Sequence, residues 1–257
     1  MHVESQHDEQ SWAIGSHRFA NPWILAPMAG VTDRPFRQLC KRLGAGLVVS
    51  EMLSSNPKVW NTAKSQARMN HEGEEGIRSV QIAGADPELM AQAAQFNVEN
   101  GAQIIDINMG CPMAKVNGSG GGARLMCNTD GATEMVGRVI EAVNLPVTVK
   151  MRLGWDRENL TAPELAAALE RIGVAAVTVH GRTREQGFSG SVNRDGIRQT
   201  VAAVSSMPVV ANGDVRTPEE AFSMIEETGC AAVAIGRGAM LDPWIFRKLQ
   251  DMECGRP

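Results

Sequence analysis

Residues 104–112 read Ile-Ile-Asp-Ile-Asn-Met-Gly-Cys-Pro. The stretch is a buried strand that runs straight into a tight turn and presents one thiol, Cys111, just past the strand's carboxyl end. That is where an α/β enzyme places a reactive group. Short β-branched runs ending in small or polar residues recur around it, at 23–27, 46–52, 78–83, 103–108, 147–153, 175–181, 209–213 and 231–236. These candidate strands are rich in Val, Ile and Ala with little alternation, as a parallel sheet buried on both faces requires.

Helical patterns with readable ends lie between the strands. Thr217-Pro218-Glu219-Glu220 combines an N-cap, a proline at the first helical position and a capping-box glutamate, and the pattern closes at Gly229. Asp86-Pro87-Glu88 and Asp242-Pro243 open helices in the same way. Eight βα units in 257 residues favour a closed (β/α)8 TIM barrel, while periodicity alone leaves a doubly wound sheet open. The division expected is a polar N-terminal segment at 1–20, a barrel at 21–252 and a short tail at 253–257. The longest connection, 109–126, follows the fourth strand, is glycine-rich and reads as irregular.

Hydrophobic residues make up 43% and charged residues 21%, which suits a globular core. No apolar run approaches the roughly 20 residues of a membrane span, and the first ten residues lack the order of a signal peptide. A cytoplasmic protein is expected. The five cysteines have no CxxC spacing, so neither a disulfide framework nor a metal site is expected. A formal charge of −4 argues against attraction of nucleic acid by the whole surface, but permits a local basic patch.

Residues two apart on a strand share a face. Asp106 thus pairs with Asn108, Lys150 with Arg152, Thr178 with His180 and Asn212 with Asp214, while Gln81 ends the third strand. Each has a structural alternative: Asp106 as a turn cap, Lys150 reaching solvent, His180 as a satisfied core histidine. Together they put more polar groups at one rim than a hydrophobic barrel can use. The last two strand ends, Ala-Asn-Gly-Asp at 211–214 and Ile-Gly-Arg-Gly at 235–238, stand where barrels commonly hold a phosphate. Arg237 would add a charge-assisted hydrogen bond. A phosphate there, the Gln81 amide and the Lys150 ammonium would suit a flavin mononucleotide (FMN) across the barrel mouth, with Lys150 near the N1/O2 edge of its ring.

From about Asn21 to Lys248 the chain resembles the tRNA-dihydrouridine synthases. The resemblance rests on Ala-Pro-Met-Ala-Gly-Val-Thr-Asp (26–33), Ser-Glu-Met (50–52), Val-Gln-Ile-Ala-Gly (80–84), Asp-Ile-Asn-Met-Gly-Cys-Pro (106–112), Val-Lys-Met-Arg-Leu-Gly-Trp (149–155) and Val-His-Gly-Arg-Thr (179–183). Residues 27–106 look closest to the bacterial B-type branch, whereas Val-Asn-Gly-Ser-Gly-Gly-Gly-Ala (116–123) is more like the C-type loop, so the branch stays open.

The resemblance implies a flavin-binding barrel that reduces the C5–C6 bond of a uridine in tRNA, with NADPH recharging the flavin. By position within the motifs, Pro27, Met28, Ala29, Gln81, Lys150, His180, Asn212, Gly213, Asp214, Gly236 and Arg237 would hold FMN. Cys111 would be the general acid, a task that suits an ordinary thiol, protonated at pH 7 with a pKa of about 8.5. Asn108 is the candidate contact to the uracil edge, and a turn-capping asparagine is its alternative. The C-terminal helical domain usual in the family is not found before Pro257. The barrel rim alone, through Lys115, Arg124, Arg152, Arg182 and Arg184, is therefore expected to hold tRNA. Arg194 stands where many members have an aromatic residue, and tyrosine is absent. Two other readings remain: a flavin-binding remnant without productive tRNA binding, and a flavin oxidoreductase acting on free pyrimidines.

Overall fold

A computed structural model describes residues 12–256. Its strands are β1 (Trp12–Ile14), β2 (His17–Phe19), β3 (Trp23–Leu25), β4 (Leu47–Val48), β5 (Leu53–Ser54), β6 (Ser79–Ala83), β7 (Ile104–Met109), β8 (Val147–Arg152), β9 (Ala176–His180), β10 (Val209–Asn212) and β11 (Ala232–Ile235). From β3 on they form one parallel sheet in the order β4-β3-β11-β10-β9-β8-β7-β6-β5. The helices are α1 (Arg34–Arg42), α2 (Ala63–Met69), α3 (Pro87–Glu99), α4 (Ala114–Gly118), α5 (Thr129–Ala142), α6 (Ala162–Arg171), α7 (Arg194–Ala202), α8 (Pro218–Thr228), α9 (Arg237–Leu241) and α10 (Ile245–Glu253). The fold is the expected (β/α)8 barrel. A bridge between Val49 and Ser79 and the bond from Ser50 N to Ser79 O join the two ends of the sheet.

The expected strand at 46–52 is instead two short pieces, β4 and β5. Polar contacts interrupt the ladder between them. Ser50 Oγ accepts from Gln81 N at 3.2 Å, and Glu51 Oε2 accepts from Gly30 N at 2.5 Å and pairs with Arg68 at 3.0 Å. These bonds fasten the turn after β3 to the rim.

Apolar side chains between the strands and the surrounding helices form the larger core, including Ile105, Ile107, Val149, Val177 and Val179. A second core fills the barrel's amino end, where Ile24, Leu47, Ile104, Ala176, Val210 and Ala232 meet Trp12, Ile14 and Phe19. The described part of the segment expected to be polar, residues 12–19, is thus a β-hairpin whose apolar side plugs the barrel floor. The rest of that expectation, 1–11, lies outside the described residues.

Capping behaves as the sequence predicts at α3 and α8. Asp86 accepts from Leu89 N, and Thr217 with Glu220 completes the capping box before α8 ends at left-handed Gly229. At Asp242-Pro243 the helix starts later, at Ile245, because the Asp242 carboxylate caps a turn at Trp244 N instead. The connection at 109–126 is not irregular: it holds α4 and a 3-10 turn, Gly122–Cys127. Arg194 bonds Ser223 at 2.7 Å and Glu227 at 2.5 Å, which ties the start of α7 to α8 by ionic contact.

Candidate active site

The parallel register sets the polar strand ends beside one another: Gln81 lies beside Asp106, Asn108 beside Lys150, Arg152 beside His180, and His180 beside Asn212. All of these but Asp106 open on a cavity of about 490 Å³ at the carboxyl end of the barrel. Cys111, Asn108, Gln81, Lys150, His180, Asn212, Gly213, Asp214, Gly236, Arg237, Pro27, Met28 and Ala29 all line it. Every residue expected to hold the cofactor, the base or the proton therefore reaches the same space, while Asp106 and Thr178 lie outside its lining.

Their partners divide the work. Lys150 Nζ donates to Asn212 Oδ1 at 3.2 Å, while Asn212 Nδ2 donates to Ala234 O at 2.7 Å, so Asn212 is fixed and in turn aims the ammonium. Burial, then the charge of Arg152, pushes Lys150 down to about 8, against the pull of Asp106 and Cys111. His180 is pushed down to about 2 by burial and by the charges of Lys150, Arg152, Arg182 and Arg237. At neutral pH it is an uncharged imidazole in a cationic cavity. Asp214, in left-handed backbone at φ 52°, accepts from Arg182 at 2.6 Å, from Val192 N at 3.0 Å and from Arg237 at 3.2 Å. Burial opposes its ionisation, but these bonds hold its carboxyl below the usual range. Its carboxylate is thereby occupied in holding Arg237 and the loop before α7.

Cys111 is half-buried on the cavity wall. Its backbone N–H donates to Asn108 Oδ1 at 3.0 Å, as does that of Gly110 at 3.3 Å, and Asn108 Nδ2 donates to Gln81 Oε1 at 2.7 Å. The structure gives Asn108 the turn-capping duty, leaving one N–H hydrogen for any direct contact with a base. Across the turn, Gly122 has φ 60°, and a Cβ there would lie 2.7 Å from Cys111 O. The glycine loop can close on the thiol only because that position has no side chain.

Two expectations about the rim are corrected. Arg152 and Arg182 are buried at 2% exposure, which removes them from the surface cations. Arg152 donates to the carbonyls of Gly110, Thr183 and Gly187, and Arg182 to those of Ser189 and Gly190. Both guanidiniums therefore shape loops. Arg124 and Arg184 instead lie over the Trp155 ring, at 5.2 and 4.5 Å from its centroid. Lys115 is exposed on α4. Sequence reasoning missed Phe188, a cavity-lining ring left 60% exposed between Arg152 and Arg237. Its only signal was position, in the βα loop that follows His180.

Among the described residues no helix is long and apolar enough to cross a membrane, and no cluster of His, Cys, Asp and Glu is arranged to hold a metal ion.

Residues 24–256 match the family model described as dihydrouridine synthase (Dus). The chain is 55% identical to the tRNA-dihydrouridine synthase B of Vibrio cholerae over 237 residues, 92% of this chain and 73% of that protein. The protein of the same name from Shewanella oneidensis is 56% identical over the same shares, and that from Pseudomonas aeruginosa 52% identical, over 92% of this chain and 71% of the relative. Among solved structures, morphinone reductase superposes with a TM-score of 0.67 at 15% identity, covering 96% of this chain and 89% of that one, a likeness of fold.

Proposed function

The chain belongs to the dihydrouridine synthase family, and on that premise we propose that it reduces the C5–C6 bond of uridines in tRNA, with FMN as cofactor and NADPH as reductant. The observation that carries this reading is the cavity itself, where a half-buried thiol and a lysine ammonium face one space at the carboxyl end of the barrel. The residues present fit an anionic, planar cofactor. Lys150 and Arg237 supply positive charge, His180 adds none, and Pro27, Met28 and Ala29 offer an apolar wall. Gly213, at φ 124°, and Gly236 let the last strand ends approach a phosphate by backbone.

A bound flavin would supply the hydride that C6 of the uracil receives. The protein's own part is to position the base and deliver a proton. Cys111 Sγ holds the proton for C5 and releases it as charge develops there. Asn108 holds the turn that carries the thiol, and its remaining N–H is the group we assign to the uracil edge. A base reaches this cavity only after leaving its stack, at a cost of a few kcal/mol. Phe188, exposed at the mouth, offers the aromatic face against which it would rest. Lys115, Arg124 and Arg184 are the rim cations that remain for tRNA phosphates.

The test incubates purified protein with unmodified tRNA and NADPH, maps dihydrouridine by position and records the flavin spectrum of the same sample. Product should form, and Cys111→Ala should lower its rate by about 100-fold or more, the share typical of a general acid, while keeping the yellow colour. A yellow protein that leaves tRNA unreduced would identify a flavin-binding remnant. Turnover of free uracil without RNA would point to the pyrimidine oxidoreductase instead.

A further inference from the structure

Four buried side chains form a single line across the barrel, below and beside the cavity. Thr148 Oγ1 donates to Asp106 Oδ1 at 2.6 Å, Gln81 Nε2 donates to Asp106 Oδ2 at 2.6 Å, and Asn108 Nδ2 donates to Gln81 Oε1 at 2.7 Å. Asn108 Oδ1 then accepts from Gly110 N and Cys111 N. Asp106, Gln81, Asn108 and Thr148 are exposed by 9% or less, so water cannot replace a lost partner cheaply. The two amides in the middle are asymmetric, each with one donor end and one acceptor end, and could in principle be turned over. Something must choose their direction.

We propose that Asp106 is a positioning residue, an acceptor that fixes the direction of this chain and through it the turn carrying Cys111. A carboxylate presents only acceptors, so Gln81 must turn its NH2 to Asp106 and its carbonyl to Asn108. Asn108 must then turn its NH2 to Gln81, which leaves its carbonyl for the two backbone N–H groups. A neutral Asp106 with its O–H on Thr148 would accept from Gln81 in the same way. Reversing either amide alone would set two acceptors or two donors face to face in a buried site. The inference rests on the proposed function only for its use, the placing of the proton-donating thiol; the direction of the chain is a property of the protein by itself.

The direction can be tested by reversing it. Asn108→Asp keeps an acceptor for the N–H groups of Gly110 and Cys111, so a purely local cap would tolerate it. With both carboxyls ionised it sets a carboxylate against Gln81 Oε1, and turning Gln81 over only moves the clash to Asp106; a proton taken up at either position relieves it, so the conflict shows at alkaline pH. Adding Asp106→Asn removes the conflict: residue 106 now donates to Gln81 and Gln81 donates to residue 108, so the two bonds through Gln81 run in the opposite sense while Thr148 and the two backbone N–H groups keep their acceptors.

The experiment measures, in ligand-free protein, amide hydrogen exchange at Gly110 and Cys111 and alkylation of Cys111 by iodoacetamide, resolved by peptide mass spectrometry. At alkaline pH, against the parent at the same pH, Asn108→Asp should speed both by about tenfold or more, as one unpaired buried polar group implies, with α8 exchange as the control for the fold. The double variant should return most of the way to the parent. If Asn108→Asp fails to fold, the double variant should fold and show near-parental protection. A double variant no better than Asn108→Asp, or an Asn108→Asp protein indistinguishable from the parent, would overturn the proposal. Neither result depends on tRNA reduction, so failure here and failure of the proposed function are separable.

Discussion

Lys150 and His180, on the paired strands β8 and β9, are both pushed down by burial and neighbouring cations, yet one stays charged at neutral pH and the other does not. The ammonium of Lys150, pushed down to about 8 by burial and Arg152, is still charged at neutral pH. An anionic ligand drawn to that charge binds the protonated form, so affinity should hold below pH 8 and fall above it, by up to about tenfold per unit. Titration of the apoprotein with FMN from pH 6.5 to 9.5, followed by flavin fluorescence, checks this; Lys150→Met should bind weakly with little slope. His180, held near 2 against 6.5 for a free imidazole, behaves otherwise. Below pH 6.5 the unfolded chain takes up a proton that the folded protein refuses, so stability is lost as pH falls. The limiting slope is about 1.4 kcal/mol per pH unit. Denaturant unfolding of the ligand-free protein between pH 7 and 5 should therefore show a shallower loss in His180→Gln than in the parent. An equal slope in both would place the imidazole in a less restrictive field.

Among the elements, the connection after β7 links backbone conformation to chemistry most directly. Gly122 lets the 3-10 turn close on Cys111 O, and Ala123 N completes the contact by donating to that carbonyl at 3.1 Å. A methyl at Gly122 meets backbone at 2.7 Å and would sit at a positive φ, so the turn must shift. Displacement of a reacting group by about 1 Å commonly costs 100-fold. Gly122→Ala should thus reduce tRNA turnover by 10- to 100-fold, on the order expected from such displacement, while flavin content stays near one per chain; steady-state rates with a flavin absorbance count would show it. The strand ends and the α3 and α8 caps were legible in the sequence because period-two spacing and capping chemistry are local. The burial of Arg152 and Arg182 was not. Arginine on a strand end looks like a surface cation until the loops whose carbonyls it binds are in place. Phe188 was hidden for the same reason, since its value as an exposed ring comes from Arg152 at the end of β8 and Arg237 at the start of α9. Nor did pattern reveal that β4 and β5 would be separate pieces, because Glu51 finds its partners, Gly30 and Arg68, only in three dimensions.

Across the whole molecule, stability and chemistry are assigned to opposite ends of the barrel. The carboxyl end is polar, charged and open, while the amino end is closed by the β1–β2 hairpin over the inner core. The hairpin read as a polar leader because its buried residues, Trp12, Ile14 and Phe19, are sparse among polar neighbours. They stand together only when the turn at Gly15 stacks Trp12 on Phe19, with ring centroids 4.9 Å apart. In barrels of this kind the amino face serves stability and the carboxyl face carries the active site. The two should therefore be separable by mutation. Phe19 is 4% exposed, and truncation of a buried phenylalanine costs about 3–5 kcal/mol, transfer and cavity together. In a protein of this size each kcal/mol lowers Tm by about 2–4 °C, so Phe19→Ala should melt at least about 6 °C below the parent. Its FMN affinity at 25 °C should stay within about twofold of the parental value, because sites this far apart with no shared partner add independently. Calorimetry paired with flavin titration decides the matter. A Phe19→Ala protein that melts normally would remove the hairpin from the barrel's stabilising core, and one that loses flavin in proportion to stability would couple the two ends.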